Sequence, residues 1–175
     1  YVAAMERGDL TAATAEAEAA LAASEARDGD GGRTGVLLLN VANVHLLAGR
    51  HEQARPFAAR ALTLARGGAA GVDPVAAELA FLRALLPTSV NTSIADQLNT
   101  LLHSPGAQSL DDESIYAAAT EFGNWGLSHE SYALAQAGWE LAGAHPAGSP
   151  FGETFGLGRA RTSEGQALPR RARDL

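Results

Sequence analysis

Histidines are the residues of this chain best suited to metal or acid–base chemistry. The five are His45, His51, His103, His129 and His145. No two of them stand four residues apart with acidic support, the spacing that places two metal ligands on one helix face. The spacing therefore predicts no metal site, and His45 is predicted to be a packing residue.

Acidic residues and serines are the next candidates for catalysis. Asp111, Asp112 and Glu113 stand together where a helix is predicted to begin, and acidic groups there complement the helix dipole. No nucleophile-elbow motif and no phosphate-binding glycine loop accompanies the serines. The GLG within Phe151–Ala160 follows no predicted strand, so a dinucleotide site is rejected. We predict that the chain is not an enzyme and uses no cofactor.

Asparagine offers more informative chemistry. Asn40 and Asn43 interrupt the most apolar stretch of the chain, LLLNVANVHLLAGRHEQARPFAARAL (Leu37–Leu62). An asparagine side chain provides two hydrogen-bond donors and an acceptor, which suits the backbone of an extended peptide. What these two amides do depends on the elements that position them.

Composition predicts that those elements are helices. The chain is 46% hydrophobic but only 6% aromatic, because most of its apolar residues are Ala and Leu, which favour helix. No segment alternates with a period of two, so the predicted class is all-α. A net charge of −7 argues against a nucleic-acid or membrane-surface binder, since both need a basic footprint.

The sequence also contains features that indicate where in the cell the protein is located. The chain has no Cys, no apolar run of about 18 residues and no signal-peptide pattern. We therefore expect a cytoplasmic protein that makes no membrane contact. Tyr1 already falls inside a helical pattern, from which we expect the sequence to be a fragment or a processed product.

Glycine and proline clusters divide the chain into predicted helices. Loops are predicted at Arg27–Gly35, Pro87–Ser93 and Ser104–Ser109, and Pro56 is expected near a helix start, where its missing N–H costs little. The predicted helices are Tyr1–Arg7, a helix capped by Asp9 or Thr11 that runs to about Ala26, Val36–Ala48, His51–Arg66, a helix begun by Asp73-Pro74 that runs to about Leu86, Ile94–His103, a helix capped by Asp111 or Asp112 that runs to Trp125, Ser128–Ala144, and a weak Glu153–Arg161.

The helices follow a repeated pattern. The second pair contains Leu38-x-x-Val41-Ala42-x-x-His45, then Gly49, then Ala54-x-x-x-Ala58. The fourth contains Ile115-x-x-Ala118-Ala119-x-x-Phe122, then Gly126, then Ser131-x-x-x-Ala135, and the first contains Gly8 and Ala13-x-x-x-Ala17. This pattern resembles the tetratricopeptide (TPR) repeat over roughly Tyr1 to His145.

The repeat is long for that family. Gly8 to Gly49 is 41 residues and Gly49 to Gly126 is 77, or about 38 per repeat, whereas the usual unit is about 34. Such spacing is typical of the variants in kinesin light chains and in TPR sensor regions of bacterial transcription regulators.

The resemblance implies an α-solenoid of antiparallel helical hairpins in a right-handed superhelix. It would span residues 1–158, with a truncated first repeat and a divergent third repeat at Pro87–His103. Residues 159–175 would form an Arg-rich tail or linker, with five of the 13 arginines against two acids.

A binding site follows from helical spacing together with the resemblance. At 100° per residue, Leu38, Val41, Ala42 and His45 share the face of Val36–Ala48 that packs on the partner helix. In TPR arrays the opposite stripe faces the concave groove, and the fourth repeat supplies an equivalent stripe. The predicted partner-binding residues are Val36, Leu39, Asn40, Asn43, Leu47, Glu113, Tyr116, Thr120 and Asn124. An alternative is that the amides cap or bridge neighbouring helices.

The resemblance also implies a function class. It favours a protein- or peptide-binding scaffold without catalysis and without direct nucleic-acid contact. The alternative is the sensor region of a bacterial transcription regulator whose DNA-binding domain lies outside this chain. The carboxylate clamp of chaperone-binding TPR domains is not expected, because Ala77 and Phe81 occupy the corresponding third-repeat positions and the chain has no Lys.

Overall fold

The chain is all-helical over the residues that its computed structural model describes, which are 2–110 and 112–142. No strand occurs among them, so the predicted all-α class is confirmed. None of the described helices is long and apolar enough to cross a membrane. The helices are α1 (Val2–Glu6), α2 (Leu10–Asp28), α3 (Gly32–Leu47), α4 (His51–Arg66), α5 (Pro74–Leu85), α6 (Asn91–Leu102), a 3₁₀ helix (Pro105–Ser109), α7 (Asp112–Ser128) and α8 (Tyr132–Ala142).

Aspartate caps begin two of these helices. The Asp9 carboxylate accepts a hydrogen bond of 2.9 Å from the Ala12 N–H at the start of α2. The Asp73 carboxylate accepts one of 2.8 Å from the Val75 N–H, with Pro74 in the first turn of α5. Each cap satisfies a backbone donor that has no partner within the helix. Asp9 is thus the cap of α2, and the predicted start of α5 is confirmed.

The hairpin turns after α1 and α3 share one hydrogen-bond pattern. After α3 the Gly49 N–H donates to the Leu46 carbonyl at 2.9 Å, and the Arg50 N–H donates to the His45 carbonyl at 2.8 Å. Gly49 has a φ of 69°, in the left-handed region that glycine tolerates. This is a Schellman motif, and the same pair of bonds follows α1 around Gly8.

The turn between α7 and α8 corrects the predicted repeat. The Schellman residue there is Glu130, with a φ of 55°, and the Ser131 N–H donates to the Gly126 carbonyl at 2.7 Å. The prediction that Gly126 ends the helix is wrong, because α7 continues through it to Ser128. Gly126 permits a close helix contact instead: an added Cβ would lie 2.4 Å from the Ala135 nitrogen.

Moving the turn by four residues makes the repeat more regular. The second helix of each predicted pair begins at Leu10, His51, Asn91 and Tyr132, which are 41, 40 and 41 residues apart. The interval from Gly49 to Glu130 is 81 residues, close to twice the 41 between Gly8 and Gly49. In the corrected alignment Asn43 matches Asn124.

The predicted loop Arg27–Gly35 is longer than the connection in the structure, because its glycines too mark close contacts and not the end of a helix. Helix α2 continues to Asp28 and α3 already begins at Gly32. An added Cβ on Gly32 would lie 1.8 Å from the Ala70 carbonyl oxygen, and one on Gly35 would lie 2.4 Å from the Val72 side chain. These glycines let α3 approach the loop that follows α4, and they do not break the helix.

Three smaller differences from the predictions concern the starts of α6 and α8 and the position of Pro56. Helix α6 begins at Asn91, so the break after α5 is shorter than Pro87–Ser93. Helix α8 begins at Tyr132, later than the predicted Ser128. Pro56 is the sixth residue of α4 and therefore lies inside the helix. It has no N–H to donate to the backbone carbonyl of the exposed residue Glu52.

The chain divides into two compact units, Tyr1–Pro87 and Thr88–Leu175. In the first unit, α2, α3, α4 and α5 pack in sequence, and α3 also contacts α5. Alanines dominate one of its core clusters, which contains Ala42, Ala54, Ala58, Ala80 and Ala84 with Leu46. In the second unit, α8 packs against both α6 and α7. The predicted single array over residues 1–158 stays a prediction.

Several sequence predictions fall outside the described residues. These are the helix cap at Asp111, the end of the last pair beyond Ala142, the segment Phe151–Ala160, the helix Glu153–Arg161 and the tail at residues 159–175.

Candidate functional site

Helix α3 has a buried face and an open stripe. Its buried residues include Leu38, Val41, Ala42 and His45, as the spacing predicts. All five of its predicted binding residues are exposed or half-buried. We call this set the α3 stripe: Val36, Leu39, Asn40, Asn43 and Leu47.

Aliphatic side chains stand at both ends of the α3 stripe. Val36 is 37% exposed and Leu47 is 45% exposed, and both belong to the few large hydrophobic residues exposed in the described part of the chain. Leu39 is half-buried and packs against two core clusters together with Phe57 and Phe81. The stripe therefore offers apolar surface that is anchored to the core.

The two amides in the middle of the stripe are chemically available. Asn40 and Asn43 are half-buried, and within the described residues neither side chain makes a hydrogen bond. Thr34 on the same helix is different, because its hydroxyl donates to the Gly29 carbonyl at 2.7 Å. An amide that bridged or capped helices would have a protein partner, so the alternative interpretation of Asn40 and Asn43 finds no support among these contacts.

The predicted residues of the fourth repeat lie on α7, in the second unit. Tyr116 and Thr120 are half-buried and Asn124 is exposed. The Glu113 side chain lies outside the described part. With the corrected alignment, the residues of α7 that match Val36, Asn40, Asn43 and Leu47 are Ala117, Glu121, Asn124 and Ser128. A shift of one helical turn changes direction by only about 40°, so Asn124 keeps its place on the stripe.

The structure adds a polar cluster that the sequence pattern did not reveal. His45 is only 5% exposed, and its ring stacks on Phe57 with centroids 5.7 Å apart. Its Nε2 lies 3.2 Å from a carboxylate oxygen of Glu18 on α2. One turn earlier on α2, Thr14 accepts a 2.6 Å hydrogen bond from Arg50. The predicted packing role of His45 is confirmed, and the cluster fastens the α3–α4 turn to α2.

An ion-pair network joins α4 to Glu25 of α2 and to Asp30 just beyond the end of that helix. Arg60 donates to the carboxylates of Glu25 and Asp30. The hydrogen bond to Asp30, followed by that to Glu25, raises the pKa of Arg60 above its ordinary value. Nothing in this arrangement resembles a catalytic acid–base pair, and among the described residues no group of three His, Cys, Asp or Glu side chains could hold a metal ion.

Comparison with known proteins does not assign this arrangement to a family. No protein-family model matches the chain, and neither curated proteins nor solved structures give a match.

Proposed function

We propose that this chain is a TPR-like binding module whose α3 stripe recruits an extended peptide segment of a protein partner, without catalysis. Its helical hairpins would stack as a right-handed solenoid, with the stripe on the concave side. Tyr116, Thr120 and Asn124 of α7 are proposed as contacts for the same class of ligand.

Two features of the fold support a solenoid. The second helices begin at intervals of 41, 40 and 41 residues, which is the regularity expected of a stacked repeat. Within the first unit α3 packs against its own partner α4 and also against α5, the first helix of the next predicted pair. Contacts of this nearest-neighbour kind propagate a solenoid.

The observation that carries the binding proposal is the pair of unbonded amides between two exposed aliphatic residues. Asn40 and Asn43 have no hydrogen-bond partner among the described residues, while Val36 and Leu47 expose apolar surface at either end. Amides that bind a peptide backbone and apolar surface that accepts side chains are the two components of extended-peptide recognition.

A random peptide library displayed on phage tests this proposal against the full 175-residue chain. We expect the wild-type chain to select a family of related peptides, and Asn40→Ala with Asn43→Ala to bind a synthetic member at least tenfold more weakly, since two hydrogen bonds are lost. Gln53→Ala is the matched control, because Gln53 is an exposed amide on α4. Equal binding by wild type and double variant would exclude the α3 stripe as the site.

A further inference from the structure

Arg33 extends the α3 stripe by one helical turn. Arg33, Val36, Asn40, Asn43 and Leu47 follow one another at steps of three and four residues. At 100° per residue they fall within about 80° of one another around the helix. Arg33 is exposed, and within the described part of the chain its guanidinium has no hydrogen bond or ion pair.

The position of Arg33 is not explained by helix stability. It lies in the first turn of α3, which contains no acidic residue, and the helix dipole disfavours a cation there. Two other exposed arginines of the first unit have acidic partners: Arg60 binds Glu25 and Asp30, and Arg66 lies 3.5 Å from Glu78. Arg33 therefore supplies the stripe with an uncompensated positive charge at one end.

We infer that the α3 stripe takes an extended peptide with a carboxylate at the Arg33 end and aliphatic side chains toward Leu47. This inference rests on the proposed function and specifies its ligand. Charge complementarity selects this occupant, because α3 has no Asp or Glu to repel it. A guanidinium pairs with a carboxylate through two parallel hydrogen bonds, which makes the contact directional as well as attractive.

Dimensions set the length of the peptide. Arg33 and Leu47 are 14 residues apart. That separation corresponds to about 21 Å along a helix, which about six residues of extended chain would span. Asn40 and Asn43 lie between the two ends, where they face the middle of such a peptide and can bind its backbone. The carboxylate is assigned to an Asp or Glu side chain, because the basic residues of the clamp that binds peptide C-termini in TPR domains are not present at the corresponding positions, Ala77 and Phe81.

The peptide library also tests this inference, with the random hexapeptide held between fixed flanking residues so that no free C-terminus is presented. The chain is used as wild type, Arg33→Gln and Arg33→Glu, and Arg7→Glu is the matched control because Arg7 is exposed and likewise has no partner among the described residues. Circular dichroism checks that all four are folded. One selected peptide is also synthesised without its acidic residue, as a C-terminal acid and as a C-terminal amide.

We expect wild type and Arg7→Glu to enrich Asp or Glu at one end of the hexapeptide. Arg33→Gln should lose this preference and bind the selected peptide about fivefold more weakly, as for an exposed but bidentate pair. Arg33→Glu should select Arg or Lys there. If the peptide without its acidic residue binds only as the C-terminal acid, and only when Arg33 is present, Arg33 binds a peptide terminus and the assignment to a side-chain carboxylate is wrong.

The failures of the two proposals are distinguishable. If wild type selects peptides that the double asparagine variant loses, but the acid preference does not depend on Arg33, the proposed function stands and this inference is wrong. If wild type selects no peptide family that depends on Asn40 and Asn43, both are wrong.

Discussion

Among the described residues, Asn40 and Asn43 make no intramolecular hydrogen bond, whereas buried polar side chains at the α2–α3 connection do. Ser24 and Thr34 are fully buried, and their hydroxyl oxygens lie 3.0 Å apart. Removing Thr34 would leave the buried Ser24 hydroxyl without this partner, which is costly. Asn40 and Asn43 are half-buried and remain in contact with solvent. Their side chains should therefore contribute little to the free energy of unfolding.

A first prediction separates binding from stability at these residues. Asn40→Ala with Asn43→Ala should change the free energy of unfolding by less than about 1 kcal/mol, since no internal hydrogen bond is removed. Urea unfolding followed by circular dichroism measures this change. A loss of several kcal/mol would instead place the two amides in the structural framework.

His45 should behave in the opposite way. His45→Ala removes a buried ring from its stack on Phe57 and opens a cavity, so the unfolding free energy should fall by about 3 kcal/mol. Glu18→Gln keeps an oxygen acceptor for Nε2 on a side chain that is 48% exposed, so it should cost less than about 1 kcal/mol. Similar losses in the two variants would show that the contact with Glu18, and not packing, determines the role of His45.

Arg60 makes an electrostatic prediction. Its pKa is raised in the folded state, so its stabilising contribution is fully present below the ordinary arginine pKa and is lost only as the pH rises through the higher folded-state pKa. Arg60→Gln should therefore lower stability by the same amount at pH 7 and pH 9. Because the side chain is 42% exposed, that amount should be below about 1 kcal/mol and smaller still in 1 M salt. Urea titrations at both pH values and both salt concentrations measure it.

At the scale of elements, the two residues around the α7–α8 turn should respond oppositely to substitution. Gly126→Ala would place a methyl group against the Ala135 backbone, so it should destabilise the chain by at least about 2 kcal/mol. Glu130→Gly relieves a left-handed backbone conformation and should stabilise it by about 0.5 kcal/mol, after the entropy of the more flexible unfolded chain is subtracted.

Thermal and urea unfolding of these two variants test the corrected repeat directly. Gly123→Ala gives a second check of the close contact between α7 and α8. It should also destabilise the chain, because an added Cβ would lie 2.5 Å from the Trp139 ring. If Glu130→Gly destabilised the chain and Gly126→Ala did not, the turn would lie at Gly126 and the 41-residue period would fail.

Local signals explain which elements could be predicted from the sequence. Helices α4 and α5 match because Gly67-Gly68 and Asp73-Pro74 stop and start a helix through their own backbone preferences. The start of α3 and the end of α7 could not be predicted in this way. Gly32 and Gly126 are glycines because another segment approaches them, and a partner distant in sequence leaves no local signal.

The candidate site was predictable to the same extent. Spacing alone separates the α3 stripe from the face that contains Leu38 and His45, and the structure agrees with this division. Whether Asn40 and Asn43 are hydrogen-bonded depends on the side chains that the fold brings near them, and spacing does not predict those; within the described part neither amide is bonded. Arg33 is missed at the sequence level because it falls in the glycine-rich segment that is predicted to be a loop.

At the scale of the whole molecule, the first unit has hydrophobic clusters of its own. Within the described residues, three core clusters draw only on residues between Ala4 and Ala84. The His45 cluster and the Arg60 network also join helices within this unit. A chain of 87 residues is long enough to bury a core of its own.

We therefore predict that residues 1–87 fold alone and keep the proposed binding activity, because all of the α3 stripe and Arg33 are included. Circular dichroism should show a helical fragment with a cooperative urea transition, which a repeat array held together by nearest-neighbour contacts allows. Fluorescence polarisation should show that it binds the library-selected peptide within about tenfold of the full chain, since every residue of the α3 stripe is retained. A folded fragment that binds no selected peptide would move the site to the second unit. A fragment without a cooperative transition would contradict the division of the core on which the prediction rests.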